Sequence, residues 1–363
     1  MLLALPTVCC VFPFITWPAP FASVDVLPDL RPAAAFVLPM ASFAFPFTRC
    51  VLSPARHAGK PLAPEVTSGA VGVVRLRAEL IPTIPAPARV VARNAVWTYG
   101  RATAAARPLP DFLIVGAQKA GTTALYAYLR KHPAVTGPPW KEVSFFDRHY
   151  RRGAAWYRGH FPNKLYLRAM RARAGVDPVV GEASPSYLFH PLAPDRAAAL
   201  LPDVRVIALV RNPIDRALSH YHHEVALGRE PLPFEQALEQ EEKRMEGELE
   251  RMRDPRYFSH TWWNFTYLSR GRYAEQLERW LEVVPRERLL VVASDDLLER
   301  PDETYGRVLD FLRVPAHELE SYPLIFARDY PDMEPRTRDE LRDYYAEPNR
   351  RLYALLGRDL GWS

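Results

Sequence analysis

Short apolar runs alternate with amphipathic stretches from residue 108 to the end of the chain. The strongest run, residues 204–210, is apolar at every position but one, which is typical of a strand buried on both faces. Shorter apolar runs predict further strands at residues 113–115, 179–182 and 289–293. Helical spacing predicts helices at residues 123–131, 194–201, 214–221, 273–284, 302–312 and 335–356. The charged stretch 232–252 is predicted to be a solvated helix or an excursion from the fold. This alternation predicts an α/β fold with helices on both faces of a mainly parallel sheet.

Residues 1–107 differ from the rest in composition, and we interpret them as an irregular Pro-, Ala- and Arg-rich leader ahead of a folded domain at residues 108–363. The leader has ten Lys and Arg against four Asp and Glu, a charge of +6, whereas the whole chain carries +5, which leaves the domain at −1. The basic excess therefore does not indicate nucleic-acid binding by the domain. All three cysteines lie in the leader, so the domain needs no disulfide and has no thiolate metal site.

The leader is compatible with three interpretations. Residues 1–24 carry no charge and are largely apolar, as in a membrane anchor or an export signal. However, four prolines within them would interrupt a spanning helix, and no basic residue precedes the apolar run. Residues 54–107 resemble an organelle transit segment or a flexible stem. A targeting segment or stem, a membrane anchor, and a segment without a folded role stay open.

A strand–loop–helix unit at residues 112–125, FLIVGAQKAGTTAL, carries the first candidate chemistry. Backbone N–H groups, a lysine and two hydroxyls meet there at the positive end of a helix, which suits phosphate or sulfate oxygens. An ordinary nucleotide-hydrolysing P-loop has its lysine directly after the second glycine. Here Thr122 follows Gly121, and Lys119 lies inside the loop. The loop is therefore predicted to bind an anion, with Lys119 neutralising charge on a leaving oxygen; the alternative is an ordinary tight turn.

Two further positions belong to the same predicted site. Arg211 follows the strand at 204–210 and so lies at the carboxyl edge of the sheet, where α/β ligands gather, while Ser219 follows about two helical turns later. Together they predict a second phosphate site, and two phosphate sites suggest a nucleotide phosphorylated at both ends. Glu142 can fold back over the first loop and serve as the base that transfer to a hydroxyl or amine needs. In isolation, Glu142 would be interpreted as an ordinary surface residue.

These motifs resemble the sulfotransferases, and in detail the heparan sulfate N- and 3-O-sulfotransferase domains. Residues 116–123 resemble the 5′-phosphosulfate loop, and RNP at 211–213 with Ser219 resembles the 3′-phosphate site. The carbohydrate branch is indicated by KEVSFFD at 141–147, EASP at 182–185, and EPN at 347–349 with LGRDLGW at 356–362. The resemblance runs from Asp111 to Trp362, with its motifs in the family's order. It implies a P-loop-type α/β fold and an enzyme that moves a sulfuryl group from 3′-phosphoadenylyl sulfate, without a metal, to a hydroxyl or amine of a carbohydrate.

The resemblance also implies roles for individual residues. Glu142 matches the catalytic base and Lys119 the lysine that stabilises the departing phosphate, while Arg328 matches an arginine of a loop that closes over the donor. The residues expected to bind the donor are Gln118, Lys119, Ala120, Gly121, Thr122, Thr123, Arg211, Ser219 and Arg328. Those expected to bind the acceptor are Lys141, Glu142, Glu182, Ser184, Pro185, Arg151 and Arg152. Three departures, Ala183 in place of a lysine, Phe326-Ala327 in place of Lys-Gly, and a missing cysteine pair, affect acceptor and lid contacts.

A basic run bears on the acceptor and a tripeptide on the compartment. Eight Lys and Arg from Arg148 to Arg173 follow one another with no Asp or Glu between them. They form either a solvated basic surface or a track for an anionic glycan, and no nucleic-acid partner is expected. The family implies a Golgi or other secretory membrane, whereas the leader composition suggests organelle targeting. Asn264-Phe265-Thr266 is a glycosylation sequon only in a secretory compartment. A P-loop kinase-like phosphotransferase and a non-catalytic glycan- or nucleotide-binding module remain as alternative functions.

Overall fold

The domain is built on one all-parallel sheet. A computed structural model describes residues 97–254, 256–323, 325 and 330–362. Within them the strands lie in the order β2-β3-β1-β4-β5. Their bounds are β1 Phe112–Gly116, β2 Val135–Thr136, β3 Val179–Ala183, β4 Arg205–Val210 and β5 Leu289–Ala293. The predicted α/β class with a parallel sheet is confirmed.

Helices connect the strands and cover the sheet. Before β4 they are α1 Thr122–Leu129, α2 Gly153–Arg158, α3 Lys164–Ala174 and α4 Ala193–Leu200. Between β4 and β5 they are α5 Pro213–Ala226, α6 Phe234–Glu239, α7 Glu241–Met245, α8 Glu248–Arg251, α9 His260–Asn264 and α10 Tyr273–Leu281. After β5 they are α11 Ser294–Glu299, α12 Pro301–Leu312 and α13 Pro335–Leu356. Within the described part of the chain, no helix is both long and apolar enough to cross a membrane.

The apolar pattern explains the burial of the main elements. All residues of β1 are buried, and so are residues 206–210 of β4, because helices cover both faces of the central strands. On α10, Tyr273, Leu277 and Trp280 recur at helical spacing and are all buried. A second, smaller apolar cluster lies between α5 and α13 and includes Ile214, Leu218, Leu341 and Tyr345.

The folded domain begins earlier than the composition indicated. Residues 97–102 are helical and Ala104–Ala106 form a 3₁₀ turn, in which Ala104 is buried. Arg107 is also buried, and its carbonyl oxygen accepts a hydrogen bond from Arg158 Nη1 at 2.9 Å. Residues 97–107 therefore belong to the domain although their composition resembles that of the leader. The interpretations of residues 1–96, with their three cysteines, fall outside the described residues.

Candidate functional site

The loop between β1 and α1 is held in an unusual backbone conformation. Lys119 and Gly121 both lie in the left-handed region, at φ 71° and 89°. A side chain at residue 121 would be strained by this backbone angle, which explains the glycine. The loop is fastened to the two strands beyond β1: Ala117 N–H donates to Leu209 O at 2.6 Å, and Ser294 Oγ donates to Ala120 O at 2.7 Å. The loop backbone is therefore set before any ligand arrives.

The first turn of α1 adds donors at the same place. The opening N–H groups of a helix have no intrahelical acceptor, so the start at Thr122 presents partial positive charge. Thr122 is buried and Thr123 half-buried. Gln118 is half-buried too, yet its Oε1 is buried and has no hydrogen-bond partner within the described residues. Such an orphaned polar atom in a fixed loop fits a site that a polar ligand completes.

Arg211 joins the second predicted site to this loop. Arg211 directly follows β4, and its Nη1 donates to Lys119 O at 3.2 Å. Tyr273 Oη donates to Arg211 O at 2.8 Å and so fixes the turn. Ser219 lies on α5 and is buried. Burial, followed by the positive charges of Arg216 and Arg270, holds the pKa of His220, the next residue on α5, well below its usual range.

Glu142 lies beside the start of α1. Its backbone is left-handed, at φ 67°, and its N–H donates to Ala183 O at 3.2 Å. Lys141 Nζ contacts Glu142 Oε1 at 3.1 Å and Thr122 Oγ1 at 3.2 Å. The side chain of Glu142 remains 48% exposed. The structure thus brings together a half-exposed carboxylate, a lysine and the hydroxyl at the anion-binding end of α1.

A buried carboxyl, Glu182, supports the loop that carries Glu142. Tyr157 Oη and Tyr187 Oη donate to its Oε1 at 2.6 and 2.9 Å, and Ser184 Oγ donates to its Oε2 at 2.8 Å. The hydroxyls of Ser184 and Tyr187 also accept hydrogen bonds from the loop. Ser144 N–H donates to Ser184 Oγ at 3.0 Å, and Phe145 N–H donates to Tyr187 Oη at 2.7 Å. Glu182 and Ser184 are fully buried, so neither side chain is accessible to an acceptor in this structure. Their contacts fasten the loop to β3.

The protonation of Glu182 predicts a pH effect on stability. Burial raises the pKa of Glu182 from 4.5 to about 7, against the opposing effect of its three hydrogen bonds. The folded protein therefore holds this proton more tightly than the unfolded chain, and stability falls as the pH rises from about 4.5 to about 7. In Glu182→Gln, the free energy of unfolding will fall by up to about 3 kcal/mol less over this pH range than in the unaltered protein. Thermal unfolding at pH 5 and pH 7.5 measures it, and equal pH slopes in the two proteins would contradict it.

A second carboxyl group with a raised pKa is that of Asp147, five residues after Glu142. Burial raises the pKa of Asp147 to about 6, and the negative charge of Glu142 adds to the rise. Ser186 Oγ donates to Asp147 Oδ2, and Arg148 N–H donates to its Oδ1 at 2.6 Å. Three carboxyl groups, those of residues 142, 147 and 182, are thus linked through one loop and the end of β3.

The predicted site residues separate into three groups. Residues 118–123, Arg211, Lys141 and Glu142 lie together at the carboxyl edge of the sheet. Ser219 and Pro185 are buried beside this edge, and Arg151 and Arg152 are exposed in the turn before α2. Arg328 and the Phe326-Ala327 departure fall outside the described residues. The roles of these residues in binding and catalysis stay predictions.

Three positioning residues were missed from the sequence. Ser294, which holds the loop through Ala120, directly follows β5, and its position after a strand was the available signal. Tyr157 and Tyr187 meet at Glu182 from different elements, so no local pattern could have indicated them.

Comparison with known proteins supports what the geometry indicates. A family model described as "Sulfotransferase domain" matches residues 109–326. The human heparan sulfate glucosamine 3-O-sulfotransferase 6 is 31% identical over 287 residues, covering 70% of this chain and 74% of that protein. The membrane-associated sulfotransferase kil1 of Dictyostelium discoideum is 25% identical over 320 residues, which cover 70% of this chain. The match spans 66% of the kil1 protein, just under two thirds of its length.

A solved structure agrees in fold. The crystal structure of a sulfotransferase from Alicyclobacillus acidocaldarius is 32% identical and superposes with a TM-score of 0.53, covering 70% of this chain and 99% of that one. The family match covers well over half of the chain and includes the loop after β1, Arg211 and Glu142. The chain therefore belongs to the sulfotransferase domain family.

Proposed function

We propose that this protein is an enzyme that transfers the sulfuryl group of 3′-phosphoadenylyl sulfate to a hydroxyl or amine of a carbohydrate. The observation that carries the proposal is the meeting of Glu142, Lys141 and Thr122 at the start of α1, beside the loop of Lys119. An anion-binding loop alone would suit many nucleotides. A half-exposed carboxylate next to it supplies the base that transfer to a neutral acceptor needs.

The residues present fit the donor. The backbone N–H groups of the loop and of α1, with Thr122 and Thr123, suit the oxygens of a 5′-phosphosulfate. Arg211 lies beside the same loop and would hold a 3′-phosphate with Ser219 on α5. The orphaned Oε1 of Gln118 offers an acceptor to a donor group of the ligand. Arg328 would close over the donor, as the family resemblance implies.

The chemistry is a single in-line displacement at sulfur. Glu142 removes a proton from the acceptor hydroxyl or amine as the acceptor atom forms its bond to sulfur. The bond between sulfur and the bridging oxygen of the donor breaks, and its electron pair stays on the 5′-phosphate of adenosine 3′,5′-bisphosphate. Lys119, in the loop after β1, would offset the negative charge that builds on that oxygen. Lys141 contacts both Glu142 and Thr122 and so orients the base toward the donor.

Two measurements test the proposal. We expect transfer of radiolabelled sulfate from the donor to at least one member of a glycan panel that includes heparan sulfate, chondroitin and neutral glucans. We also expect calorimetric titration to show micromolar binding of adenosine 3′,5′-bisphosphate and much weaker binding of ATP. Micromolar ATP binding without bisphosphate binding would instead support a kinase-like phosphotransferase. Binding of the bisphosphate without transfer to any acceptor would favour the non-catalytic module.

An anionic polysaccharide suits the acceptor side. Relatives named for heparan sulfate sulfotransfer support a glycosaminoglycan-like acceptor. Near the site, Arg148 lies with its guanidinium carbon 4.8 Å from the ring centroid of Phe258, and that of Arg152 lies 5.3 Å from the ring centroid of Trp156. These stacked, partly exposed cations would attract a negatively charged chain toward Glu142.

Reversing two charges tests this track. Arg151→Glu with Arg152→Glu will raise the acceptor KM about tenfold at low salt, because both side chains are exposed and their attraction is electrostatic. The donor KM will not change. Initial rates at varied acceptor and varied donor measure both constants, with Arg350→Glu on α13 as an exposed control. An unchanged acceptor KM would contradict the proposal that these arginines attract an anionic glycan.

We further propose membrane association through the leader, in a Golgi or other secretory compartment. The support is the resemblance to a membrane-associated sulfotransferase and to heparan sulfate enzymes. Separation of membrane and soluble fractions, repeated with a chain that starts at residue 97, tests the role of the leader.

A further inference from the structure

A pocket lined by aromatic side chains lies beyond edge strand β2. Its volume is about 280 Å³. Trp97, Trp140 and Tyr166 line it and are 37%, 40% and 52% exposed. His160 and Arg130 complete the wall. A group of large aromatic rings at an open surface is typical of a binding site, so this pocket is a candidate ligand site.

The pocket lies on the acceptor side of the site. Trp140 precedes Glu142 by two residues, so their Cα atoms are at most about 7.6 Å apart. The wall also includes Thr136, the last residue of β2, at the same carboxyl edge as the loop after β1. One strand, β3, separates β2 from β1, which places the two at a spacing of about 10 Å. The pocket therefore lies next to the segment that carries Glu142, close enough for a neighbouring sugar residue of the same chain. The larger cavity, about 580 Å³, is lined by Asp111, Arg205 and Arg313 and contains none of the site residues.

The wall selects for charge as well as shape. It contains two arginines, Arg107 and Arg130, and no aspartate or glutamate. Arg130 Nη1 donates to Thr136 Oγ1 at 3.2 Å and to Gly137 O at 3.0 Å, so its guanidinium is held against the wall. Arg107 Nε donates to Thr103 Oγ1 at 2.8 Å. Arg107 is buried and its Nη1 donates to Phe161 O, so Arg130 is the exposed cation of the wall. A fixed cation without a counter-charge in the wall favours an anionic ligand.

Aromatic faces and a fixed cation together suit one class of ligand. The C–H groups on a sugar face carry partial positive charge and pack on the negative face of an aromatic ring. The carboxylate or sulfate of an acidic sugar would pair with an arginine. A neutral sugar would leave the arginine unused, and a small inorganic anion would leave the aromatic faces exposed.

We propose that this pocket is an acceptor subsite that binds an acidic sugar residue next to the one that receives sulfate. The proposal rests on the proposed function, since it assigns the pocket to the acceptor of that reaction. Tyr166 belongs to α3, a helix with no buried residue and with Lys164, Arg168 and Arg171 exposed. The acceptor chain continues from the pocket onto this basic helix. The pocket thus connects the reacting sugar to the rest of an anionic polysaccharide.

The test compares two aromatic deletions with two references. Trp140→Ala and Tyr166→Ala remove a stacking face, Trp140→Phe retains one, and Tyr344→Ala removes an equally exposed ring, 41% exposed, on α13. We expect each deletion to raise the acceptor KM about three- to tenfold with the donor KM unchanged. Trp140→Phe will recover most of the loss, and Tyr344→Ala will match the unaltered protein. Arg130→Gln will weaken binding of an acidic polysaccharide and leave a neutral glucan unaffected.

Direct binding separates this inference from the proposed function. Calorimetric titration of size-defined heparan sulfate fragments, with adenosine 3′,5′-bisphosphate present, reports the pocket even if no transfer occurs. Weaker fragment binding by Tyr166→Ala supports the subsite, whether or not the unaltered protein transfers sulfate. Equal fragment binding and an equal acceptor KM in both deletions would overturn it. A lower kcat in Trp140→Ala alone would also overturn it, because Trp140 would then only position Glu142. Neutral glucan bound as tightly as heparan fragments would refute the acidic specificity.

Discussion

Glu142→Gln will abolish sulfate transfer and leave the affinity for adenosine 3′,5′-bisphosphate unchanged. Glutamine has the shape of glutamate but cannot accept the acceptor's proton, and general base catalysis contributes about 10²- to 10⁴-fold to a rate. The left-handed backbone at residue 142 and the contact with Lys141 persist in the variant, so the geometry of the loop is kept. Radiolabelled transfer measures kcat, and calorimetric titration with the bisphosphate measures donor-site integrity.

A matched control separates the base from a general effect of charge removal. Glu287→Gln changes an exposed glutamate in the turn Arg286–Arg288 before β5, far from the loop after β1 along the chain. It will transfer sulfate at the unaltered rate. If Glu142→Gln retained turnover within a few-fold of the unaltered protein, another group would have to take the proton. Asp147, five residues later and with a raised pKa, would be the next carboxyl to test.

Lys119→Met will lower kcat about 10²- to 10³-fold, the cost of removing one donor that stabilises developing charge. The bisphosphate affinity will fall much less, because in the proposed site backbone N–H groups and Arg211 also hold the nucleotide. Methionine keeps the length of the side chain and faces the same left-handed backbone that lysine does, so backbone strain is similar in both proteins. Single-turnover kinetics at saturating donor isolate the chemical step.

Lys131→Met is the companion control for that variant. Lys131 is exposed just beyond the end of α1, and its Nζ contacts Ser321 O at 3.4 Å. Its replacement will leave kcat unchanged. A Lys119→Met protein that turned over normally but bound the bisphosphate poorly would show that Lys119 binds the ground state of the donor, and would contradict its assignment to the leaving oxygen.

The fold was predictable where the local sequence pattern is strong, and elements with a weak pattern were missed or divided differently. The strand predicted at 204–210 is β4, which begins one residue later. Its five consecutive apolar residues strongly favour a buried strand. Strand β2 was missed, since its two residues carry no period. The stretch 232–252, predicted as a solvated helix or an excursion, forms three short helices, α6 to α8. Glu246 leaves the helical conformation and Gly247 is left-handed there, a break that charge spacing does not reveal.

The site was predictable where its residues follow strands and unpredictable where they depend on tertiary contact. Lys119, Arg211 and Glu142 come from segments whose ends meet at one sheet edge, so topology alone places them near one another. The burial of Glu182 was not foreseeable, because its tyrosine partners come from 25 residues before and 5 residues after it. Sequence spacing shows which groups are available, whereas burial decides whether a carboxyl meets substrate or protein.

The two halves of the site are anchored on opposite sides of β1. The loop after β1 is fastened to Leu209 of β4 and to Ser294 after β5, while the loop of Glu142 is fastened to Ala183 and Ser184 at the end of β3. Substitutions around Trp140 and α3 therefore fall outside the contacts that fasten the loop after β1 to β4 and to Ser294. Such an arrangement is open to divergence: acceptor preference can drift under selection while recognition of the donor is retained. It also makes the β2–β3 side the natural place to begin redirecting this scaffold toward a new glycan.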